Sequence, residues 1–290
     1  MTVTETDQPT TAHPVPAGGD DRPAARLRTD AVRLGYGDRV VVDGVSLDVP
    51  TGRTTAVVGP NGCGKSTLLR GLGRLLRPVG GSVLLDGDEI GTLSTREVAR
   101  RVGLLPQQPV VPEGVTVLEL VERGRHPHHG LFRTWGRADE EAVAAALERT
   151  DLVHLAGVPV DSLSGGQRQR VWLALVLAQQ TPVLLLDEPT SFLDVAHQLD
   201  VLDLVRGLSE DAGSTVVMVL HDLGMAARYA DHLVAMRDGA IVAEGPPGEV
   251  VTPAVVEEVF GVSASVLTDP DTGTPVVVPR RRVRPEGAHR

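Results

Sequence analysis

The most constraining feature of the chain is Gly59-Pro60-Asn61-Gly62-Cys63-Gly64-Lys65-Ser66-Thr67. The run fits G-x-x-x-x-G-K-[ST], and it sits between a short apolar stretch, Thr54-Thr55-Ala56-Val57-Val58, and a helical pattern over residues 65–76 that Pro78 and Gly80 close. Strand, glycine-rich turn and helix in that order commit the chain to an α/β architecture with a buried sheet. Each residue type has a physical reason. Glycines let the backbone wrap so that its amides and the helix N-terminus face phosphate oxygens, Lys65 supplies a point charge, and Ser66 can ligate Mg²⁺. Lys65 is the one lysine among 28 basic residues, so the single compact ammonium falls where a planar guanidinium would fit poorly between phosphate oxygens.

Around this motif the pattern is consistent. Residues 27–34 and 45–49 alternate enough for two strands of a small antiparallel sheet, punctuated by Gly35, Gly37 and Gly44. Residues 113–161 read as helical. Beyond them helices (164–180, 194–209, 223–229) alternate with apolar strands (182–186, 215–220, 233–236, 240–244), as in a largely parallel sheet. Val183-Leu184-Leu185-Leu186-Asp187-Glu188 is a buried strand ending in two carboxylates, where Asp187 suits a magnesium shell and Glu188 suits polarising a water. Leu163-Ser164-Gly165-Gly166-Gln167 opens a helix, and a serine with two glycines there makes a second anion cradle.

With the loop at residues 59–67 upstream of Ser164–Gln167 and Asp187-Glu188 downstream, these three motifs resemble those of the ABC ATPases over residues 27–267. The resemblance implies a P-loop NTPase (RecA-like) α/β core with an N-terminal antiparallel β-subdomain and an inserted α-helical subdomain. The expected organisation is a disordered leader (1–24), an ABC ATPase domain (25–268, helical insert about 110–162) and a C-terminal extension with a basic tail (269–290). The implied cofactors are ATP and Mg²⁺, with residues 59–67 cradling the phosphates and Ser66, Gln107 and Asp187 at the metal. Gln107 resembles the Q-loop glutamine, His221 the switch histidine, Glu188 the base, Tyr36 the aromatic that stacks on adenine, and Ser191-Phe192-Leu193-Asp194 the D-loop. The signature at Ser164, Gly165, Gly166 and Gln167 would complete the ATP site of a second copy, so the chain should dimerise.

A narrower resemblance, to subunits that energise uptake of ferric siderophores, rests on residues 122–132, 193–198 and 269–279. It implies membrane permease subunits, an extracytoplasmic substrate-binding protein, and a peripheral place on the cytoplasmic face of the membrane. Importers of haem, cobalamin or metal ions are the near alternatives. A soluble ABC ATPase of DNA repair or ribosomes is the further one, but it calls for coiled coils or a second motif set. An ATP sensor that does not hydrolyse would not need both Glu188 and His221.

Composition excludes much else. The net charge of -10 argues against a nucleic-acid surface, and the basic run Arg280, Arg281, Arg282 and Arg284 reads as a solvated tail. The longest apolar stretch, residues 171–178, is far short of the ~20 residues that cross a bilayer. One cysteine, Cys63, leaves no disulfide framework, and its place in the loop suits a small buried residue filling the turn. His126-Pro127-His128-His129 could bind a metal, but its internal proline and the lack of a nearby Cys or carboxylate ligand favour a polar surface loop.

Overall fold

The structure, a computed structural model, describes residues 26–107, 109, 113–129, 135–191 and 193–280. The expected leader, Phe192, and Arg281, Arg282 and Arg284 of the tail lie outside the described residues.

The chain runs β1 (Leu27–Tyr36), β2 (Arg39–Val49), β3 (Thr54–Val58), α1 (Lys65–Leu72), β4 (Gly80–Leu85), β5 (Asp88–Glu89), α2 (Thr95–Arg101), β6 (Val102–Leu105) and α3 (Val117–Glu122). A 3₁₀ segment (Arg123–His128) and α4 (Arg137–Arg149) follow, then α5 (Gly165–Ala178), β7 (Val183–Asp187), α6 (Val195–Glu210), β8 (Thr215–Val219) and α7 (Leu223–Tyr229). The chain ends with β9 (His232–Arg237), β10 (Ala240–Gly245), α8 (Pro247–Val250), α9 (Pro253–Phe260), β11 (Ala264–Thr268) and β12 (Pro275–Pro279).

The central sheet has the order β10-β9-β3-β8-β7-β6, with β9, β3, β8, β7 and β6 parallel and β10 antiparallel at the edge. Strands β3, β7 and β8 are buried along their whole length, and their period of two divides the apolar residues between two cores. Ala56, Leu184, Leu186, Val216 and Met218 face α5, α6 and α7, while Val57, Val183, Leu185, Val217 and Val219 face α1 and the antiparallel sheet. A third core unites α3, α4 and one side of α5. Because α5 packs on two cores it is apolar nearly all round, which accounts for the apolar run at residues 171–178. Among the described residues no helix is long and apolar enough to cross a membrane.

The antiparallel sheet has the order β2-β1-β4-β5, so it is wider than the two strands expected from sequence. Helix α1 stops at Leu72 rather than residue 76, because Gly73 caps it and Arg74 turns to φ 59, with the amides of Leu75 and Leu76 folding back to the Arg70 carbonyl. The expected boundary at 268/269 falls inside a hairpin: β11 pairs with β12 from Ala264↔Pro279 to Thr268↔Pro275, and Val266 and Val277 pack on the main core.

The His126–His129 run is not a free surface loop. Arg96 Nε and Arg100 Nε both donate to the Pro127 carbonyl (3.1 and 2.8 Å), and His128 Nε2 lies 2.7 Å from the Gln179 carbonyl. The neighbouring Arg125 is buried and donates to Asp139 Oδ1 (2.9 Å), the Ala178 carbonyl (2.8 Å) and Gln180 Oε1 (3.1 Å). Asp139, ten residues beyond the histidines, also stands 3.4 Å from His129 Nε2. A carboxylate is therefore close in space, yet no group of three or more His, Cys, Asp or Glu able to hold a metal exists among the described residues. The segment is a strap tying the insert to α2, α4 and the end of α5.

Candidate functional site

The site lies beyond the carboxyl ends of β3, β7 and β8, where open parallel sheets bind ligands. Residues 59–64 leave β3 and turn into α1 through backbone that only glycine adopts easily: φ is 152 at Gly59, 77 at Gly62 and 108 at Gly64. A Cβ on Gly59 would stand 2.2 Å from the Met236 carbonyl oxygen. Gly64 is the N-cap of α1 and offers no side-chain cap, so the first amides of the helix stay open to an anion. Lys65 is buried at 5% exposure, its Nζ donating to the carbonyls of Gly59 and Pro60 at 2.9 Å each. Cys63 is buried in the turn, and burial pushes its thiol up, away from reactive thiolate.

Asp187 and Glu188 point to different partners. Ser66 Oγ donates to Asp187 Oδ1 at 2.9 Å. Burial pushes the Asp187 carboxyl up, the Glu188 charge adds to it, and the Ser66 bond offsets only part. A buried carboxylate so destabilised, beside a hydroxyl, fits a hard cation that keeps oxygen ligands and needs few from the protein. Glu188 takes φ 54, which turns its side chain out of the strand line. Its Oε1 lies 2.6 Å from His221 Nε2 and its Oε2 accepts from Ser191 Oγ at 2.9 Å. Burial alone would raise the Glu188 carboxyl, but hydrogen bonds from Gln107, Ser191 and His221 outweigh it and hold it below the ordinary glutamate value. As a base it would be strengthened when one of these partners turns away.

A cleft of about 610 Å³ joins these groups; Tyr36, Asn61, Gly62, Gly64, Lys65, Ser66, Thr67, Gln107, Glu188 and His221 line it. Gly59, Pro60 and Cys63 form the back of the loop, and Asp187 lies behind Ser66. Arg70 Nη1 donates to the Tyr36 hydroxyl at 3.1 Å, leaving the half-exposed ring at the cleft mouth. The sequence reading missed two lining residues, Arg39 and Val41. The pairing Tyr36↔Arg39 across the β1–β2 turn is the signal that leads to them.

Ser164, Gly165, Gly166 and Gln167 do not line the cleft. Ser164 caps α5 in a reciprocal box with Gln167, with Ser164 and Gly165 exposed at the surface. The position of Gly166 is set by Leu193, whose Cδ2 would lie 3.0 Å from a Cβ there.

A phosphate loop on a parallel sheet, an antiparallel β-subdomain, a helical insert and an outward-facing Ser-Gly-Gly helix start together define an ATP-binding cassette of the ATPase type. Residues 42–191 match the family described as ABC transporter, and the chain belongs to that family. It is 51% identical over 265 residues to the ferric enterobactin transport ATP-binding protein FepC of Escherichia coli (strain K12), covering 91% of this chain and 98% of that one. It is 48% identical over 266 residues to the petrobactin import ATP-binding protein FpuD of Bacillus anthracis, covering 91% and 97%. Among solved structures it is similar to an inward-facing ABC transporter assigned to the metal-chelate type (TM-score 0.75, 28% identity, 88% of this chain and 97% of that one). A dimeric bacterial ABC transporter cassette is similar too (TM-score 0.69, 30% identity, 76% and 98%).

Proposed function

We propose that the chain is the ATP-hydrolysing subunit of an importer for ferric siderophores. It works as a pair, docked on membrane permease subunits at the cytoplasmic face, with an extracytoplasmic binding protein delivering the cargo. The observation that carries the cargo is the 51% identity to a ferric enterobactin transport subunit across 98% of that protein. Cargo never meets this subunit, so its own geometry speaks only to the motor.

In the motor, the amides of Asn61, Gly62 and Gly64 and the open start of α1 bind the phosphate chain, and Lys65 turns its ammonium to the outer phosphates. Ser66, Gln107 and Asp187 would hold Mg²⁺, which when bound neutralises charge on the phosphate oxygens. Tyr36 stacks on the base. Glu188 accepts a proton from the attacking water, and His221 contacts the outer phosphate. The exposed cradle at Ser164–Gly166 serves the nucleotide held by the second copy, which supports pairing.

The test is to purify the chain with its membrane partners and assay Mg²⁺-dependent ATPase activity. A co-purifying permease, with turnover abolished and a closed pair trapped by Glu188→Gln, is the expected result. Unchanged turnover would remove Glu188 as base. Deletion strains should lose growth on ferric siderophores as iron source; growth lost on haem or cobalamin instead would reassign the cargo.

A further inference from the structure

The contacts of Ser191 assign it a second task beside its place on a loop that faces across the pair. Residues 188–191 form a turn in which the Ser191 amide donates to the Glu188 carbonyl (3.1 Å) while the Ser191 hydroxyl returns to Glu188 Oε2 (2.9 Å). Glu188 Oε1 faces His221 Nε2 instead. His221 and Gln107 reach the carboxylate from separate segments, after β8 and β6. Ser191 reaches it from three residues away, so its hydroxyl is the partner least able to leave.

That turn is itself fixed from α5. Gln169 Nε2 donates to the Pro189 carbonyl at 3.1 Å, and Leu193 packs on Gly166. Beyond Leu193, Asp194 caps α6 and accepts from His197 N and Nδ1 (2.9 and 2.7 Å), while Gln198 Nε2 donates to the Leu193 carbonyl at 3.0 Å. Residues 188–191 and 193–194 are thus each pinned, and the helix that carries the Ser-Gly-Gly start meets both, at Pro189 and at Leu193.

We propose that Ser191 is a positioning residue for Glu188: its hydroxyl fixes Oε2 and so keeps Oε1 on the cleft side, where it meets His221 in this structure and accepts the water proton once His221 turns to the outer phosphate. As water oxygen bonds to the terminal phosphorus, the bond to ADP breaks with its electron pair leaving on ADP, and one water proton passes to Oε1. Because the turn rests on α5, the placement of the Ser-Gly-Gly helix also sets the carboxylate. This inference rests on Glu188 being the base.

The experiment uses the full chain with its membrane partners and compares Ser191→Ala, Ser191→Gly and Ser191→Thr, each alone and with Glu188→Gln. The hydroxyl-less variants should lose about 10-fold in kcat with the KM for ATP within about 2-fold, since orientation and not binding is removed. Ser191→Thr should recover most of the loss. With Glu188→Gln present, Ser191→Ala should change neither the residual turnover nor ATP-driven trapping of the closed pair. Wild-type kcat in both hydroxyl-less variants, a parallel rise in KM, or loss of trapping in the double variant would overturn the proposal; the last would assign the hydroxyl to the interface. If Glu188→Gln itself retains turnover, the base assignment fails first. If it abolishes turnover while Ser191→Ala is silent, only this inference falls.

Discussion

Replacing Arg125 with methionine should be among the most damaging changes outside the nucleotide site. Arg125 and Asp139 are 3% and 0% exposed, and the guanidinium also satisfies the Ala178 carbonyl and Gln180. Methionine fills much of the volume but leaves a buried carboxylate with only the Gly136 amide (3.2 Å) and His129 (3.4 Å) as partners. Removing one partner of a buried pair costs about 3–5 kcal/mol. At about 2–4 °C per kcal/mol for a chain of this size, the melting point should fall on the order of 10 °C. Arg125→Met with Asp139→Leu should recover most of that, short by about 1 kcal/mol for the lost cap on α4.

The acid dependence has a definite sign. Burial pushes the Asp139 carboxyl up, but the Arg125 hydrogen bond, the Gly136 amide and the Arg125 and His129 charges outweigh it and hold it below the ordinary value. The pair's contribution is therefore present above the unfolded carboxyl's pKa and lost as pH falls through the lower folded value. In the variant burial acts nearly unopposed, so Asp139 takes up a proton at higher pH. The stability gap should narrow between pH 7 and 5, read by urea unfolding followed by circular dichroism. A single variant within about 1 kcal/mol of wild type, or a double variant worse than the single, would refute the reasoning.

Gly59→Ala should abolish binding of a fluorescent ATP analogue, because its Cβ would press on the Met236 carbonyl, backbone against backbone, at φ 152; retained affinity would show that the loop can shift. Tyr36→Ala should weaken ATP binding about 10-fold while Tyr36→Phe stays within about 2-fold, as measured by titration, since stacking needs the ring and not the hydroxyl that meets Arg70. Chelating Mg²⁺ should stop hydrolysis in the complex, and Ser66→Ala should raise the Mg²⁺ concentration needed for half-maximal activity; an unshifted requirement would take Ser66 out of the metal shell.

What could be seen in the sequence was whatever local chemistry dictates. The loop at residues 59–67 is written in residue types because phosphate binding needs backbone curvature, one ammonium and one hydroxyl within a few residues. The Ser164 to Gln167 box is equally local, its donors and acceptors three residues apart. Strand β4 was missed because its partner is far away: Leu27 pairs with Leu85, and nothing within Gly80–Leu85 announces that pairing. The end of α1 was available in Gly73 but hidden by the apolar periodicity running past it. The strap was misread because its partners, Gln179, Asp139 and the α2 arginines, come together only in the fold. The same holds for Arg39, which a hairpin register carries into the cleft.

The outward cradle at Ser164–Gly166 has a consequence for heredity as well as for geometry. If, as proposed, each copy lends its cradle to its neighbour's site, damage does not stay with the copy that carries it. Suppose one copy has a lesion in residues 59–67 and its neighbour has one at the cradle: one whole site survives between them. Put both lesions in a single copy beside a sound neighbour, and each site inherits one fault. In a linked pair that can form only the mixed arrangement, the same two mutations should therefore leave one working site when divided between the halves and none when joined in one, a cis–trans asymmetry that its ATPase activity would display.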